Sequence, residues 1–243
     1  MISAVLFDLG GTLENLTTSL EQQKRAAALV QQILIPVGKE YNIPVDAFCS
    51  QILIRYREYK NWSNQSLCEL AAEEVWGNWV LKDFISGYRI GTLLADTLTD
   101  IWELSYFHRC VRPDAAYTLK RLKEKGYRLG VISNTVSRTL PIRLLEYYGI
   151  KDCFETVILS SITGIRKPDS KIFQLAAAQM NVDASCCFYV GDQPAKDVAG
   201  ALNAEYAGAA LIRSCMTPER VCPDAICIAE LKELLEVLKM VET

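Results

Sequence analysis

Two aspartates each directly follow an apolar run, and a third lies shortly after the second, which could bring all three together in the folded chain. Asp8 comes directly after "VLF", and Asp192 follows "CFYVG", with Asp197 five residues further on. Lys167 stands in the polar segment "GIRKPDSKIF", and Ser133 ends the apolar run "LGVIS". If these runs are strands of an open parallel sheet, their carboxyl ends meet at the edge where such sheets bind ligands. The sequence therefore predicts three carboxylates, a lysine and a hydroxyl in one cleft.

This set of side chains favours a phosphate group and a hard cation over an apolar ligand. Clustered carboxylates repel one another unless a cation lies among them. The chain has one histidine, and an oxygen donor set without imidazole predicts Mg²⁺. Lysine, a serine hydroxyl and backbone amides near a glycine turn suit a phosphate dianion. An aspartate beside both is placed to attack phosphorus and form an aspartyl-phosphate.

The elements that must position these residues follow from the apolar spacing after residue 110. We expect helices at residues 113–125, 139–148, 170–179, 195–203 and 230–241, and strands at residues 127–133, 155–160, 187–191 and 206–212. Alternation of this kind predicts an α/β fold, in which a parallel sheet is covered by helices on both faces.

Residues 16–110 have a different pattern and predict a helical insert without a convincing strand. Ser66 and Glu69 have the spacing of a capping box at the start of a helix. The segment "RYREYK", residues 55–60, is expected to be a solvated helix face, with contact to a substrate anion as the alternative. The tryptophans and tyrosines of this block are expected to be mostly core, with one or two of them lining a substrate pocket as the alternative.

Composition narrows the class of protein. The 243 residues fit one domain with an insert, and 26 basic against 29 acidic residues argue against a general nucleic-acid binder. No apolar run approaches the roughly 20 residues of a membrane span, and we expect no leader ahead of the Asp8 segment. The nine cysteines are scattered without a C-x-x-C pair, which predicts reduced thiols and a cytoplasmic location.

Four segments in order resemble the four motifs of the haloacid dehalogenase superfamily: "FDLGGTL", "VISNT", "RKPDSKIF" and "VGDQPAKD". The resemblance covers residues of about 2–15 and 112–212. It implies a Rossmann-like core made of residues 1–15 and 111–243, with a helical cap of the C1 type at residues 16–110. It also implies Mg²⁺-dependent phosphoryl transfer through an aspartyl-phosphate.

The resemblance also implies a role for each matching residue. Asp8 would be the nucleophile, and Lys167 would screen the charge between Asp8 and the phosphoryl group. The phosphoryl oxygens would be held by Thr12, Ser133, Asn134 and Lys167. The Mg²⁺ ion would be bound by Asp8, the backbone carbonyl of Gly10, Asp192 and Asp197, the last either as a ligand or by orienting the site.

Gly10 departs from the family pattern. Most phosphatases of this family have a second aspartate there, which protonates the leaving alcohol and binds Mg²⁺ through its carbonyl. Gly10 keeps the carbonyl and lacks the acid, and general acid–base help is worth about 10²- to 10⁴-fold in rate. We therefore expect anomeric, acyl, enol or aryl phosphates as substrates. Glu14 is the nearest carboxylate, and it is either a replacement acid or a hinge residue leading into the insert.

The sequence therefore predicts a hydrolase of small phosphorylated metabolites, monomeric or homodimeric, with no nucleic-acid or membrane partner. One alternative is a phosphate-binding or regulatory protein with little turnover, for which Gly10 is the support. A dehalogenase expels halide without a proton, but such enzymes dispense with the metal aspartates. A phosphonatase needs a lysine in the cap, and the insert offers Lys39, Lys60 and Lys82.

Overall fold

The computed structural model describes residues 1–35, 43–85, 89–212 and 224–241. The strands in this part are β1 Ala4–Phe7, β2 Glu14–Thr17, β3 His108–Val111, β4 Arg128–Ser133, β5 Thr156–Leu159, β6 Cys187–Gly191, β7 Gly208–Ile212 and β8 Ile226–Ile228. Six of them form one parallel sheet in the order β5-β4-β1-β6-β7-β8. Phe7 at the end of β1 pairs with Val131 of β4 and Val190 of β6, so these three strands end together.

Some of the helices cover both faces of this sheet, and others form the insert. They are α1 Leu20–Leu34, α2 Val45–Ser66, α3 Ala72–Glu74, α4 Thr92–Tyr106, α5 Ala115–Glu124, α6 Leu140–Tyr147, α7 Ser160–Thr163, α8 Ser170–Gln179, α9 Ala199–Asn203 and α10 Leu234–Val241. Leucines of α5, α6 and α10 pack on one face, and α8 and α9 pack on the other. Strands buried on both sides explain why β1, β4 and β6 are continuous apolar runs in the sequence. The expected α/β fold is confirmed.

The insert has its own apolar core, in which Trp76 and Trp102 are buried. Its described residues between β2 and β3 are helical, as expected, and include a π-helical turn Val75–Val80 that continues α3. Its two ends differ from the prediction, because β2 and β3 pair antiparallel with Glu14 opposite Val111. Each strand has four residues, too few for alternation to show in the sequence. This ladder joins the insert to the sheet through two adjacent strands.

One further expectation is wrong, and one strand was not predicted. Ser66 is the last residue of α2, and Leu67 with a φ of 56° ends that helix, so the capping box predicted for Ser66 and Glu69 is wrong. The three-residue strand β8 was not predicted, because it is too short to carry a pattern.

Seven of the nine cysteines are described, all as free thiols, while Cys215 and Cys222 lie outside the described residues. Within the described ranges, we find no helix with the length and apolar character to cross a membrane.

Candidate active site

The turn after β1 is built so that Asp8 faces the ends of the neighbouring strands. The Asp8 amide donates to the carbonyl of Val190 at 2.9 Å, which fixes the residue beside β6. The chain then turns back on itself, with the Gly11 amide donating to the Glu14 carbonyl at 2.9 Å. Gly11 has a φ of +88°, and a Cβ atom there would lie 2.4 Å from Oδ2 of Asp192. Both observations require glycine at this position.

Lys167 connects two of the three aspartates. Its Nζ atom donates to Oδ1 of Asp8 and to Oδ1 of Asp197, each at 2.7 Å, and to the Tyr189 hydroxyl at 2.9 Å. Burial would lower the pKa of this lysine, but the two carboxylates outweigh burial and raise it. Burial raises the pKa of Asp8 to about 7 although Lys167 opposes the rise, and the other two aspartates add to it. The lysine alone does not balance the charge of this cluster.

Asp197 orders the loop that carries Asp192. Its Oδ2 atom accepts from the backbone amides of Asp192 at 3.1 Å and Gln193 at 2.9 Å. Oδ1 of Asp192 is buried and has no hydrogen-bond partner in the part of the chain that the structure describes. Burial raises the pKa of Asp192 to about 6, and the charge of Asp197 adds to this.

The three aspartates have the chemistry of a divalent-cation site. Carboxylate oxygens of Asp8, Asp192 and Asp197 lie within 4.8 Å of one another. A buried carboxylate oxygen without a hydrogen-bond donor costs free energy of folding unless another partner satisfies it. A hard cation would be such a partner. The residues present therefore fit Mg²⁺. Asp192 would offer the ion an oxygen that accepts no hydrogen bond from the described residues, whereas both oxygens of Asp197 already accept hydrogen bonds.

The residues predicted to hold phosphoryl oxygens are placed in different ways. Ser133 lines the cleft together with Asp8. The side chain of Asn134 exchanges two hydrogen bonds of 2.9 Å with the backbone of Lys167, so its amide positions that lysine. Thr12 is fully buried, and its hydroxyl has no partner among the described residues. Contact of these three residues with a phosphate stays a prediction.

Arg112 was missed by the sequence interpretation. It follows β3, and its guanidinium donates to the carbonyl oxygens of Thr12 at 2.7 Å and Gly11 at 2.8 Å. It therefore holds the turn of the Asp8 loop from the end of the insert. Tyr189 was also missed, because a tyrosine inside a buried strand is first interpreted as core. No motif marks either residue, and only the fold brings them to the site.

A cavity of about 410 Å³ lies between this cluster and the insert, a volume suited to a small metabolite. Part of the segment 55–60 lines this cavity from the insert, so the interpretation of the segment as a solvated helix face needs correction. Tyr56 and Lys60 line the cavity, whereas Arg57 and Glu58 are exposed. Of the other insert lysines proposed for a phosphonatase, Lys82 is exposed and Lys39 lies outside the described residues.

Glu14 lines the same cavity and is fully buried. Its carboxylate is ion-paired with Arg109 and accepts from the Tyr148 hydroxyl at 2.6 Å. Burial raises the pKa of Glu14, and Arg109 opposes the rise. A Cβ atom at Gly10 would lie 3.0 Å from Cδ1 of Leu16 and 3.9 Å from Oε1 of Glu14. Glu14 is therefore both the first residue of β2 and a carboxylate beside Gly10, so the structure leaves open whether it is a replacement acid or a hinge residue.

Glu69 joins the insert to the loop that carries Lys167. Its carboxylate is ion-paired with Arg166, the residue before Lys167, and accepts from the hydroxyls of Tyr59 and Ser160. Burial would raise the pKa of Glu69, but the nearby Lys60 and Arg166 lower it overall. Both members of the Glu69–Arg166 pair are buried, so neither can exchange its partner for water.

Replacing Glu69 with glutamine is expected to destabilise the protein strongly. Removing one charge of a buried pair leaves the other uncompensated, which typically costs about 3–5 kcal/mol. Urea unfolding should show this as a lower free energy of unfolding. The exposed Glu236, ion-paired with Lys239 on α10, offers the matched control, and Glu236→Gln should leave the unfolding midpoint in place. Equal midpoints for the two variants would contradict the role given to Glu69.

The chain is similar to known proteins over most of its length. The model of the haloacid dehalogenase-like hydrolase family matches residues 2–205. The chain is 32% identical to the glyceraldehyde 3-phosphate phosphatase of Pyrococcus abyssi (strain GE5 / Orsay) over 84% of this chain and 78% of that protein.

Solved structures show the same fold. A haloacid dehalogenase-type phosphatase from Thermococcus onnurineus superposes with a TM-score of 0.67 at 23% identity, covering 98% of both chains. A 2-haloacid dehalogenase from Pseudomonas syringae pv. Tomato DC3000 superposes with a TM-score of 0.69 at 26% identity, covering 99% of both chains. With a family model matched over most of its length, the chain belongs to the haloacid dehalogenase-like hydrolases.

Proposed function

We propose that this protein is a Mg²⁺-dependent phosphatase of small phosphorylated metabolites, sugar phosphates in particular, that works through an aspartyl-phosphate on Asp8. The observation that carries the proposal is the placement of Asp8, hydrogen-bonded to Lys167, at a cavity of about 410 Å³. The phosphatase name of the Pyrococcus relative supports phosphate esters as the substrate class. The insert is proposed to act as the cap that closes the cavity.

The proposed reaction has two displacements at phosphorus. First, a carboxylate oxygen of Asp8 forms a bond to phosphorus while the bond to the ester oxygen breaks, and that oxygen leaves with the electron pair. Second, a water oxygen forms a bond to phosphorus and gives a proton to solvent, while the bond to Asp8 breaks and its electron pair returns to the carboxylate, releasing inorganic phosphate. The proton released balances the one that the departed oxygen takes up from solvent. Lys167 holds Asp8 in place and offsets negative charge during both steps, while Asn134 fixes the lysine's backbone.

Mg²⁺ would be held by Asp8, Asp192 and the Gly10 carbonyl, with Asp197 orienting Asp192, and it would offset the charge of the phosphoryl oxygens. Ser133 would donate to a phosphoryl oxygen from the end of β4. A closed cavity would exclude bulk water from the first displacement. Gly10 supplies no proton to the departing oxygen, so leaving groups that need little protonation are favoured, and among sugar phosphates these are the anomeric ones.

Removing Mg²⁺ is expected to stop phosphate release from an aryl phosphate, and added Mg²⁺ should restore it. Asp192→Asn should raise the Mg²⁺ concentration needed for half-maximal activity by at least about tenfold, because it weakens the ligand with the free oxygen. The exposed Asp183→Asn is the matched control and should leave that concentration unchanged. Full activity in excess chelator would contradict the metal part of the proposal.

Two alternatives remain testable with the same protein. A dehalogenase would release halide from a 2-haloacid, but the retained Asp192 and Asp197 argue against it. A phosphonatase would use a lysine at the cavity, and Lys60 is the insert lysine in that place. Halide release would favour the dehalogenase hypothesis, and cleavage of an aldehyde phosphonate faster than an aryl phosphate would favour the phosphonatase hypothesis.

We further propose a cytoplasmic monomer or homodimer that binds neither nucleic acid nor membranes.

A further inference from the structure

Two lysines line the cavity from opposite parts of the fold. Lys60 belongs to α2 of the insert, and Lys196 belongs to the π-helical turn Pro194–Val198 that follows β6. Both side chains are half-buried. Among the described residues, neither ammonium group has a carboxylate within ion-pair distance. The Lys60 nitrogen instead lies 5.3 Å from the ring centroid of Tyr56 and 5.9 Å from that of Tyr59.

The acids near these lysines are already held by other cations. Glu69 is paired with Arg166, Glu103 with Arg109 at 2.7 Å, and Asp197 with Lys167 at 2.7 Å. Lys60 and Lys196 are attracted by these neighbouring acids, but among the described residues neither lysine forms an ion pair with one of them.

The surroundings of Lys60 also disfavour its positive charge. Burial lowers the pKa of Lys60; the attraction of Glu69 opposes this, and repulsion by Arg166 and Lys196 adds to it. Like charges brought together in a partly dry cavity are stabilised when an ion of opposite sign lies between them. The transferred phosphoryl group already has Lys167 and the proposed cation as partners, so the anion in question is a different one.

We infer that Lys60 and Lys196 bind a second anionic group of the substrate, a carboxylate or a phosphate remote from the phosphoryl group that is transferred. This inference rests on the proposed function and narrows its substrate class to phosphate esters of sugar acids or sugar bisphosphates. Because one lysine comes from the insert and the other from the core, the second anion joins the two across the cavity. A substrate with this group favours the closed arrangement of insert and core.

The test compares ligands that differ only at the remote end. Glucose 1-phosphate and glucuronic acid 1-phosphate share the anomeric phosphate, and the second has a carboxylate in place of a hydroxymethyl group. Glucose 1,6-bisphosphate provides a phosphate at the same place and distinguishes the two kinds of anion. Each compound is measured as an inhibitor of 4-nitrophenyl phosphate hydrolysis, so an inhibition constant is obtained whether or not the sugar is turned over.

In the wild type, the better of the two ligands that have a second anionic group should bind at least about tenfold more tightly than glucose 1-phosphate, since hydrogen bonds to charged groups are the stronger kind. Lys60→Met and Lys196→Met should each reduce this ratio towards one. Lys82→Met in the insert and Lys171→Met in the core remove a charge at exposed positions, and the ratio should stay unchanged in both.

Each contrary outcome has a distinct meaning. Equal inhibition constants for all three ligands in the wild type overturn the inference. A loss of affinity that is the same for all three ligands in the variants also overturns it, because the lysines would then bind the transferred phosphoryl group. If 4-nitrophenyl phosphate is not hydrolysed at all, the proposed function fails. Titration calorimetry with the same three ligands then still decides whether the second anion is recognised.

Discussion

Asp8→Asn is expected to release phosphate at least about 10⁴-fold more slowly than the wild type, because removing a nucleophile removes the covalent route entirely. The substitution keeps the size of the side chain and one oxygen that can accept from Lys167. It removes the negative charge that attacks phosphorus. The measurement is the rate of phosphate release from 4-nitrophenyl phosphate at saturating Mg²⁺, with protein purified to exclude a contaminating phosphatase.

The matched control is Asp152→Asn, which makes the same chemical change at an exposed position outside the cavity. It should retain the wild-type rate. Trapping strengthens the result, since wild-type protein quenched in acid during turnover should carry one phosphoryl group on Asp8 and the variant none. An Asp8→Asn protein with more than a hundredth of the wild-type rate would show that phosphate is released without this nucleophile, which would favour direct attack by water.

The sequence allowed the sheet to be predicted because its strands are buried on both faces. β1, β4 and β6 are uninterrupted apolar runs, and each ends at a polar residue that the parallel arrangement brings to one edge. The carboxyl ends of such strands lie at the same edge of the sheet whatever conformation the loops adopt. The sequence therefore predicts that Asp8, Ser133 and Asp192 lie close together. Antiparallel strands such as β2 and β3 have no such signal, because four residues are too few for an alternating pattern to show.

The contacts that position the site were less accessible to sequence analysis. Glu69 has the spacing of a helix cap, yet it is a buried partner of Arg166, which only the packing of the insert on the core reveals. Asn134 belongs to a recognisable motif, but its pairing with the backbone of Lys167 depends on two loops meeting. Lys60 stands in a charged run whose local pattern indicates solvent. Long-range contacts of this kind leave no trace in the order of residues.

Gly10 is expected to make the rate of phosphoryl transfer depend steeply on the leaving group. Without a proton donor, the departing oxygen carries its negative charge away unassisted. A phenol with a pKa of about 7 tolerates this, whereas an alcohol with a pKa of about 16 does not, and general acid help would be worth about 10²- to 10⁴-fold. The rate constants for a series of phosphate esters should therefore fall steeply as the leaving-group pKa rises.

The structure limits how easily an acid can be restored at this position. A Cβ atom at Gly10 would lie 3.0 Å from Cδ1 of Leu16, so that leucine must shift. A new carboxylate would also approach Glu14, which disfavours its charge. Gly10→Asp combined with Leu16→Ala provides the room. Gly10→Ala combined with Leu16→Ala is the matched control, since it fills the same space without an acid.

The aspartate pair should reduce the dependence on leaving-group pKa, while the alanine pair should keep the steep dependence of the wild type. The decisive substrate is glyceraldehyde 3-phosphate, a primary ester that the Pyrococcus relative is named for. If the wild type hydrolyses this ester as fast as an aryl phosphate, another group donates the proton. Glu14 would then be that group, because it is buried, lines the cavity and lies beside Gly10. In that case Glu14→Gln should slow hydrolysis of the primary ester far more than that of the aryl ester, and the account of Gly10 as a missing acid would be wrong.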